Sequence, residues 1–185
     1  MGEAPPAHPP RTPRICPSPR ALRLGLLGTL AALTVALWPV PTLLVEDLDE
    51  PEVMGIFPVV PGQPLHLRYR HSLYGGWVRE HFRAGRDGLV LVAVEAEREA
   101  ALEYYGLPQR IRYRTKEGGI VEGLKFPVGE LVVRATSLGA RTLVVGDHAI
   151  PLAAGRDGHR IRLRVVCLPA VRLVWNRLWP HGKGR

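Results

Sequence analysis

Residues 24–45 form a run of 22 consecutive uncharged side chains, mostly Leu, Ala, Val and Gly, and no other stretch restricts this chain as much. At ~1.5 Å per helical residue, the run is long enough to cross a ~30 Å hydrocarbon core. Arg11, Arg14, Arg20 and Arg23 precede it, and Glu46, Asp47, Asp49, Glu50 and Glu52 follow. A basic leading flank favours a cytoplasmic amino terminus and places the remainder outside the cytoplasm. The sequence therefore predicts a single-pass transmembrane signal anchor over 24–45 in the cell membrane. Pro39 and Pro41 would loosen its last turns near the outer interface. A cleaved signal peptide with its apolar region at 24–36 is the competing reading, although no small-x-small site follows.

The remaining segments divide around that run. Seven of the first twenty residues are proline, so 1–23 reads as a disordered basic arm that buries too little apolar surface to offset its ordering entropy. Residues 46–53 read as an acidic linker, 54–167 as an extracytoplasmic β-domain and 168–185 as a basic, aromatic tail. That tail carries Trp175, Trp179, Arg172, Arg177 and Lys183, and either lies on the outer leaflet or covers a sheet edge. Beyond residue 45 the chain holds 21 basic and 16 acidic side chains, interspersed, for a net +5. That pattern describes solvated strand faces beside lipid headgroups, not a nucleic-acid track. Cys16 and Cys167 fall on opposite sides of the apolar run and cannot pair, which makes Cys167 a buried strand thiol by expectation.

Within 54–167 short alternating runs recur between turn residues. The predicted strands are 54–60, 65–73, 78–84, 89–94, 110–116, 120–126, 130–136, 142–145, 148–152 and 161–167. Gly146-Asp147 suits a two-residue hairpin turn, and Asp87-Gly88 is a further turn signal. Strong helix formers over 95–103, stopped by Gly106 and Pro108, predict one short helix. The fold class expected is all-β, an antiparallel sandwich or barrel of roughly 115 residues with one short helix, behind a single amino-terminal transmembrane helix.

The densest stretch runs from Tyr69 to Phe82. Gly75-Gly76 as a type I′ turn makes partner numbers sum to 151, so His71 faces Glu80 and Tyr69 faces Phe82. Arg68 then faces Arg83, a mildly unfavourable like-charge pair. An imidazole and a carboxylate opposite each other in an apolar stripe form a structural hydrogen bond or part of a ligand site.

Ser72 and His71 are adjacent strand residues pointing to opposite faces, which argues against a Ser-His-acid hydrolase. A metal held by His71, Glu80 and His148, or His159 in its place, would supply only part of a zinc ligand set, and no close His or Cys pair completes it. No glycine-rich loop enters a helix to cradle phosphates, and no cofactor is implied.

Taken in order, Ile56-Phe57-Pro58-Val59, Pro61-Gly62, Tyr69-x-His71-Ser72, then Glu80 followed by an aromatic, and Gly106-Leu107-Pro108 resemble a family of small bacterial proteins described as domain of unknown function 1850. The resemblance covers roughly 54–166. Where family members often have a glycine-rich approach to the Gly-Leu-Pro element, this chain has Glu103-Tyr104-Tyr105. The resemblance implies a single amino-terminal membrane segment and an accessory role beside a TRAP transporter of the TAXI type. The partner it implies is the permease or the solute-binding protein; docking is the first reading, and a metal- or small-ligand-binding enzyme domain centred on His71 and Glu80 is the alternative. Tyr69, His71, Ser72, Glu80, Gly106 and Pro108 are the residues it singles out.

Overall fold

The computed structural model describes residues 19–108, 112–113 and 118–178. Two units are present, Met1–Leu37 and Trp38–Arg185.

The first unit contains α1 (Pro19–Ala36). Leu24, Leu26, Leu27, Leu30, Leu33 and Val35 are all exposed along it. No helix among the described residues is long and apolar enough to cross a membrane. The anchor expected over 24–45 is therefore not one helix: α1 stops at Ala36, and the rest of the run becomes β1 (Pro39–Asp47). The physical reason lies in the two prolines. Each disfavours the α conformation of the residue before it, so Trp38 and Val40 are pushed toward extended backbone and the helix cannot continue.

The second unit is all antiparallel β in its pairing. After β1 come β2 (Glu52–Pro58), β3 (Pro64–Arg70), β4 (Trp77–Ala84) and β5 (Leu89–Ala96). A short helix α2 (Glu99–Tyr104) follows, then β6 (Arg112–Tyr113), β7 (Gly119–Gly129), β8 (Leu131–Arg134), β9 (Thr142–Val145), β10 (His148–Pro151) and β11 (Arg160–Pro169). The chain then enters α3 (Ala170–Leu178). The strands form a four-stranded sheet, β2-β1-β11-β8, and a seven-stranded sheet, β10-β9-β3-β4-β5-β7-β6.

Both sheets contribute to one core. Leu43, Val45, Ile161 and Leu163 from the smaller sheet join Leu65, Leu67, Val78, Phe82, Val94 and Leu143 from the larger, all essentially excluded from solvent. β3, β9 and β11 present alternate residues to that core, the period-2 pattern that the sequence carries, whereas the inner strand β1 is buried continuously over 42–45. Burying one such Leu or Val stabilises by about 1.5–3 kcal/mol, which is why the apolar half of β1 is a core strand.

Several expected boundaries move. The acidic segment 46–53 is the β1–β2 hairpin, not a linker: Asp47 Oδ1 accepts the backbone N–H of Asp49 at 2.9 Å and of Glu50 at 3.2 Å, closing the turn. The helix expected at 95–103 starts at Glu99 instead, because Glu95 and Ala96 extend β5. Gly106 ends it at φ +57. The β-domain begins at Trp38, not at residue 54. Cys167 lies in β11 but is exposed, contrary to expectation. The arm before residue 19, the tail beyond 178 and most of the strand expected at 110–116 lie outside the described residues.

The register places the chain's entry at Trp38, the β2–β3 link, the β4–β5 loop, the β9–β10 turn and the end of β11 at one end of the sandwich. The opposite, distal end carries the β3–β4 loop, the end of β5 that leads into α2, and the start of β9.

Candidate binding site

The β3–β4 hairpin holds most of the residues singled out from the sequence, but in a different register. Leu67 faces Glu80, Tyr69 faces Val78, Arg68 faces Arg79, and Pro64 faces Arg83, so partner numbers sum to 147. Gly75 and Gly76 do adopt positive φ, +64 and +71. They close a longer loop: His71 N–H donates to Gly76 O at 3.0 Å, and Gly75 N–H donates to His71 O at 3.0 Å. His71 Nδ1 accepts from the backbone N–H groups of Leu73 and Tyr74, both at 3.3 Å. The buried ring thereby satisfies loop donors that a two-residue turn would not have exposed.

The predicted pairing of His71 with Glu80 is corrected by this geometry. Because the slip is four residues, the faces are unchanged, and Glu80 still shares the core face with Tyr69 and Phe82. Its partners are phenols. Tyr105, just past α2, donates its hydroxyl hydrogen to Glu80 Oε1, and the Tyr69 hydroxyl lies 3.3 Å from the same oxygen and against the Tyr105 hydroxyl. Burial is the main influence raising the Glu80 carboxyl above its ordinary value, opposed by the Tyr105 hydrogen bond and the positive charge of Arg141. Burial, then the charge on Glu80, pushes the Tyr69 phenol up to about 12, and the same two causes raise Tyr105. The Arg141 guanidinium sits 4.4 Å from the Tyr69 ring centroid. This is a carboxyl group held by two phenol hydroxyls, a set that joins the chain just past α2 to the sheet.

His71 belongs to a separate aromatic group. Its ring centroid lies 5.2 Å from that of Tyr74 and 5.4 Å, edge-on, from that of Tyr104. With Nδ1 accepting, the neutral ring carries its proton on Nε2. Leu73, Tyr74 and Tyr104 around it are exposed. Leu138 is exposed too, on a loop tied to β3 by the Arg70 N–H bond to Gly139 O at 2.7 Å. Ser72, Gly106 and Pro108 are exposed and make no catalytic arrangement with His71.

The metal candidates are not gathered together. His148 is on β10 with its ring 5.7 Å from that of Phe57, and His159 Nδ1 lies 2.8 Å from the buried Asp47 Oδ2. Among the described residues no three His, Cys, Asp or Glu side chains are placed to hold a metal ion.

Sequence reasoning passed over the outer face of the seven-stranded sheet. There Arg68, directly opposite Arg79, stacks its guanidinium 3.9 Å over Trp77, Arg79 pairs with Glu95 at 3.2 Å, and His66 faces His81 with ring centroids 5.9 Å apart. Burial, then the positive charge of Arg79, lowers the His66 pKa. Arg68, Trp77, Arg79, Glu95, Glu97 and Gly118 line a cleft of about 220 Å³. The alternation of basic and aromatic residues in 66–70 and 77–83 was the available signal, and it resembled an ordinary solvated face.

Compared with known proteins, the chain matches no family model, no curated protein and no solved structure.

Proposed function

We propose that this chain is a membrane-attached extracytoplasmic docking protein, an accessory to a TRAP-type solute transporter of the TAXI kind, that works by holding a partner and not by catalysis. The observation carrying this reading is the distal end of the sandwich. Leu73, Tyr104 and Leu138 are 69%, 68% and 72% exposed there, around the fixed His71 ring. Apolar and aromatic side chains on neighbouring loops, with a rigid strand pair beneath them, are the usual makings of a protein-binding patch. This end lies opposite the entry of the chain at Trp38, which follows directly on the exposed leucines of α1. Exposed side chains on neighbouring loops suit a soluble partner, which favours the solute-binding protein over the permease. The resemblance of the Tyr69-x-His71-Ser72 and Gly106-Leu107-Pro108 elements supplies the transporter context.

The test is site-specific photocrosslinking of the full-length protein in native membranes. A photoreactive residue at Tyr104 should capture a transporter component, and one at Val132, exposed on edge strand β8, should not. No adduct from Tyr104, or the same adduct from both positions, would overturn the reading. Topology is checked separately with a cysteine at the exposed Asp87, which a membrane-impermeant reagent should label in intact cells. Labelling only after lysis would place the domain in the cytoplasm.

A further inference from the structure

We infer that the cleft beside Trp77, on the outer face of the seven-stranded sheet, binds a small organic monocarboxylate through Arg68 and Arg79. Two arginines directly opposite on neighbouring strands repel each other, and the fold keeps them in that position. One of them is accounted for: Arg79 Nη1 pairs with Glu95 at 3.2 Å, and Glu95 also approaches His81 Nε2 at 3.6 Å. Arg79 Nε is nevertheless buried with no hydrogen-bond partner among the described residues. A buried donor left in that state calls for an acceptor.

Arg68 is the other half of the site. Among the described residues its guanidinium makes no hydrogen bond or ion pair, and its contact is with the indole face of Trp77 at 3.9 Å. Stacking holds the planar group in one orientation and leaves its N–H edge free, the arrangement that receives a carboxylate in two parallel hydrogen bonds. The Trp77 ring adds a flat wall for the body of the ligand. The Trp77 backbone is held in place by its main-chain N–H, which donates to Glu97 Oε2 at 2.9 Å.

Charge selects the ligand class. Among the described residues the cleft is lined by Arg68 and Arg79 against Glu95 and Glu97, so these charged walls sum to zero. A single negative charge meets the unpaired Arg68, whereas a phosphate dianion or a polyanion would also meet two carboxylates. A volume of about 220 Å³ admits only a small molecule. Gly118 forms part of the rim, and a Cβ there would run into the carbonyl oxygens of Ala96 and Glu97, so the backbones close on each other at this wall. The site uses the outer sheet face at the distal end, on side chains other than Leu73, Tyr104 and Leu138 of the aromatic patch, and does not depend on the docking reading.

The experiment titrates the full-length protein in detergent with benzoate, read by tryptophan fluorescence and by calorimetry. Benzamide serves as the neutral isostere and inorganic phosphate as the competing anion. Saturable benzoate binding is expected, with benzamide and phosphate at least about tenfold weaker. Arg68→Gln should weaken benzoate about tenfold or more, and Arg68→Lys should not restore it, because an ammonium neither stacks nor forks. Arg83→Gln, whose Nη1 bonds Gly62 O at 2.9 Å outside the cleft, should leave binding unchanged. Far-ultraviolet circular dichroism confirms that each variant is folded. No saturation by ~10 mM, the weak end for a probe of nine heavy atoms, would overturn the site. Equal binding of benzamide or phosphate would overturn the ligand class, and unchanged binding in a folded Arg68→Gln protein would overturn the role of Arg68.

Discussion

Tyr105 donates its hydroxyl hydrogen to Glu80 across a sequence separation of 25 residues, joining the end of α2 to the middle of β4. Tyr69 completes the group from β3. A carboxyl group that faces the core is thereby given two phenol donors in place of the imidazole expected to stand opposite it.

Removing Tyr105 as a donor leaves that carboxyl short of a partner in a largely apolar setting. Tyr105→Phe should cost about 1–3 kcal/mol of unfolding free energy in urea titration. Glu80→Gln, which keeps the shape and removes the charge, should cost less. The double variant should cost less than the sum of the two, and strict additivity would show that the hydroxyl and the carboxyl do not interact.

The same carboxyl sets a pH trend. Its folded value is raised, chiefly by burial, so the folded state holds the proton more tightly than the unfolded chain. Its contribution to stability is full below the ordinary carboxylate value of 4.5 and declines as pH rises from there through the raised folded value. The difference in unfolding free energy between wild type and Glu80→Gln should therefore shift against wild type across that interval. A difference that does not change with pH would contradict the assignment.

Asp47 and His159 give a trend of opposite shape. Burial disfavours the ionised Asp47 carboxyl, but the His159 hydrogen bond and two backbone N–H donors outweigh it and hold its value low; the Asp47 bond is the largest influence raising His159. Stability from Asp47 is present above 3.8 and fades as pH falls through its lowered value. That from His159 is present below 6.5 and fades as pH rises through its raised value. His159→Asn should abolish the loss on the alkaline side and weaken the acid-side loss without removing it, because the Asp49 and Glu50 N–H donors still hold Asp47 low, as read by melting temperature against pH.

Leu43 separates a core strand from a membrane helix. It is fully buried in β1, between β2 and β11. Leu43→Ala should cost about 2–5 kcal/mol, the usual penalty for a cavity in a packed core. Leu30→Ala, on the exposed surface of α1, should leave unfolding of the β-domain unchanged. Equal effects of the two would place residue 43 outside the core.

Local chemistry determined a large part of this fold. The positive φ of Gly75 and Gly76, the two-residue turn at Gly146-Asp147, the helix stop at Gly106 and the period-2 alternation through β3, β4 and β11 were legible because each depends on one residue's backbone freedom or on adjacent side chains. Registers that differ by two or four residues bury the same faces, so the pattern alone could not choose between partner sums of 151 and 147. That choice depended on the His71 ring accepting two loop N–H groups, a contact that forms only once the loop is closed. Tyr105 and Arg141 reach Glu80 and Tyr69 from distant elements, and no spacing in the sequence marks that encounter. Residues 39–45 show the limit most clearly. Their apolar side chains suit hydrocarbon and a protein core alike, because both exclude water. Only the presence of β2 and β11 on either side, pairing the backbone N–H and C=O groups that a lipid-facing strand would leave unsatisfied, made this stretch the inner strand of a sheet.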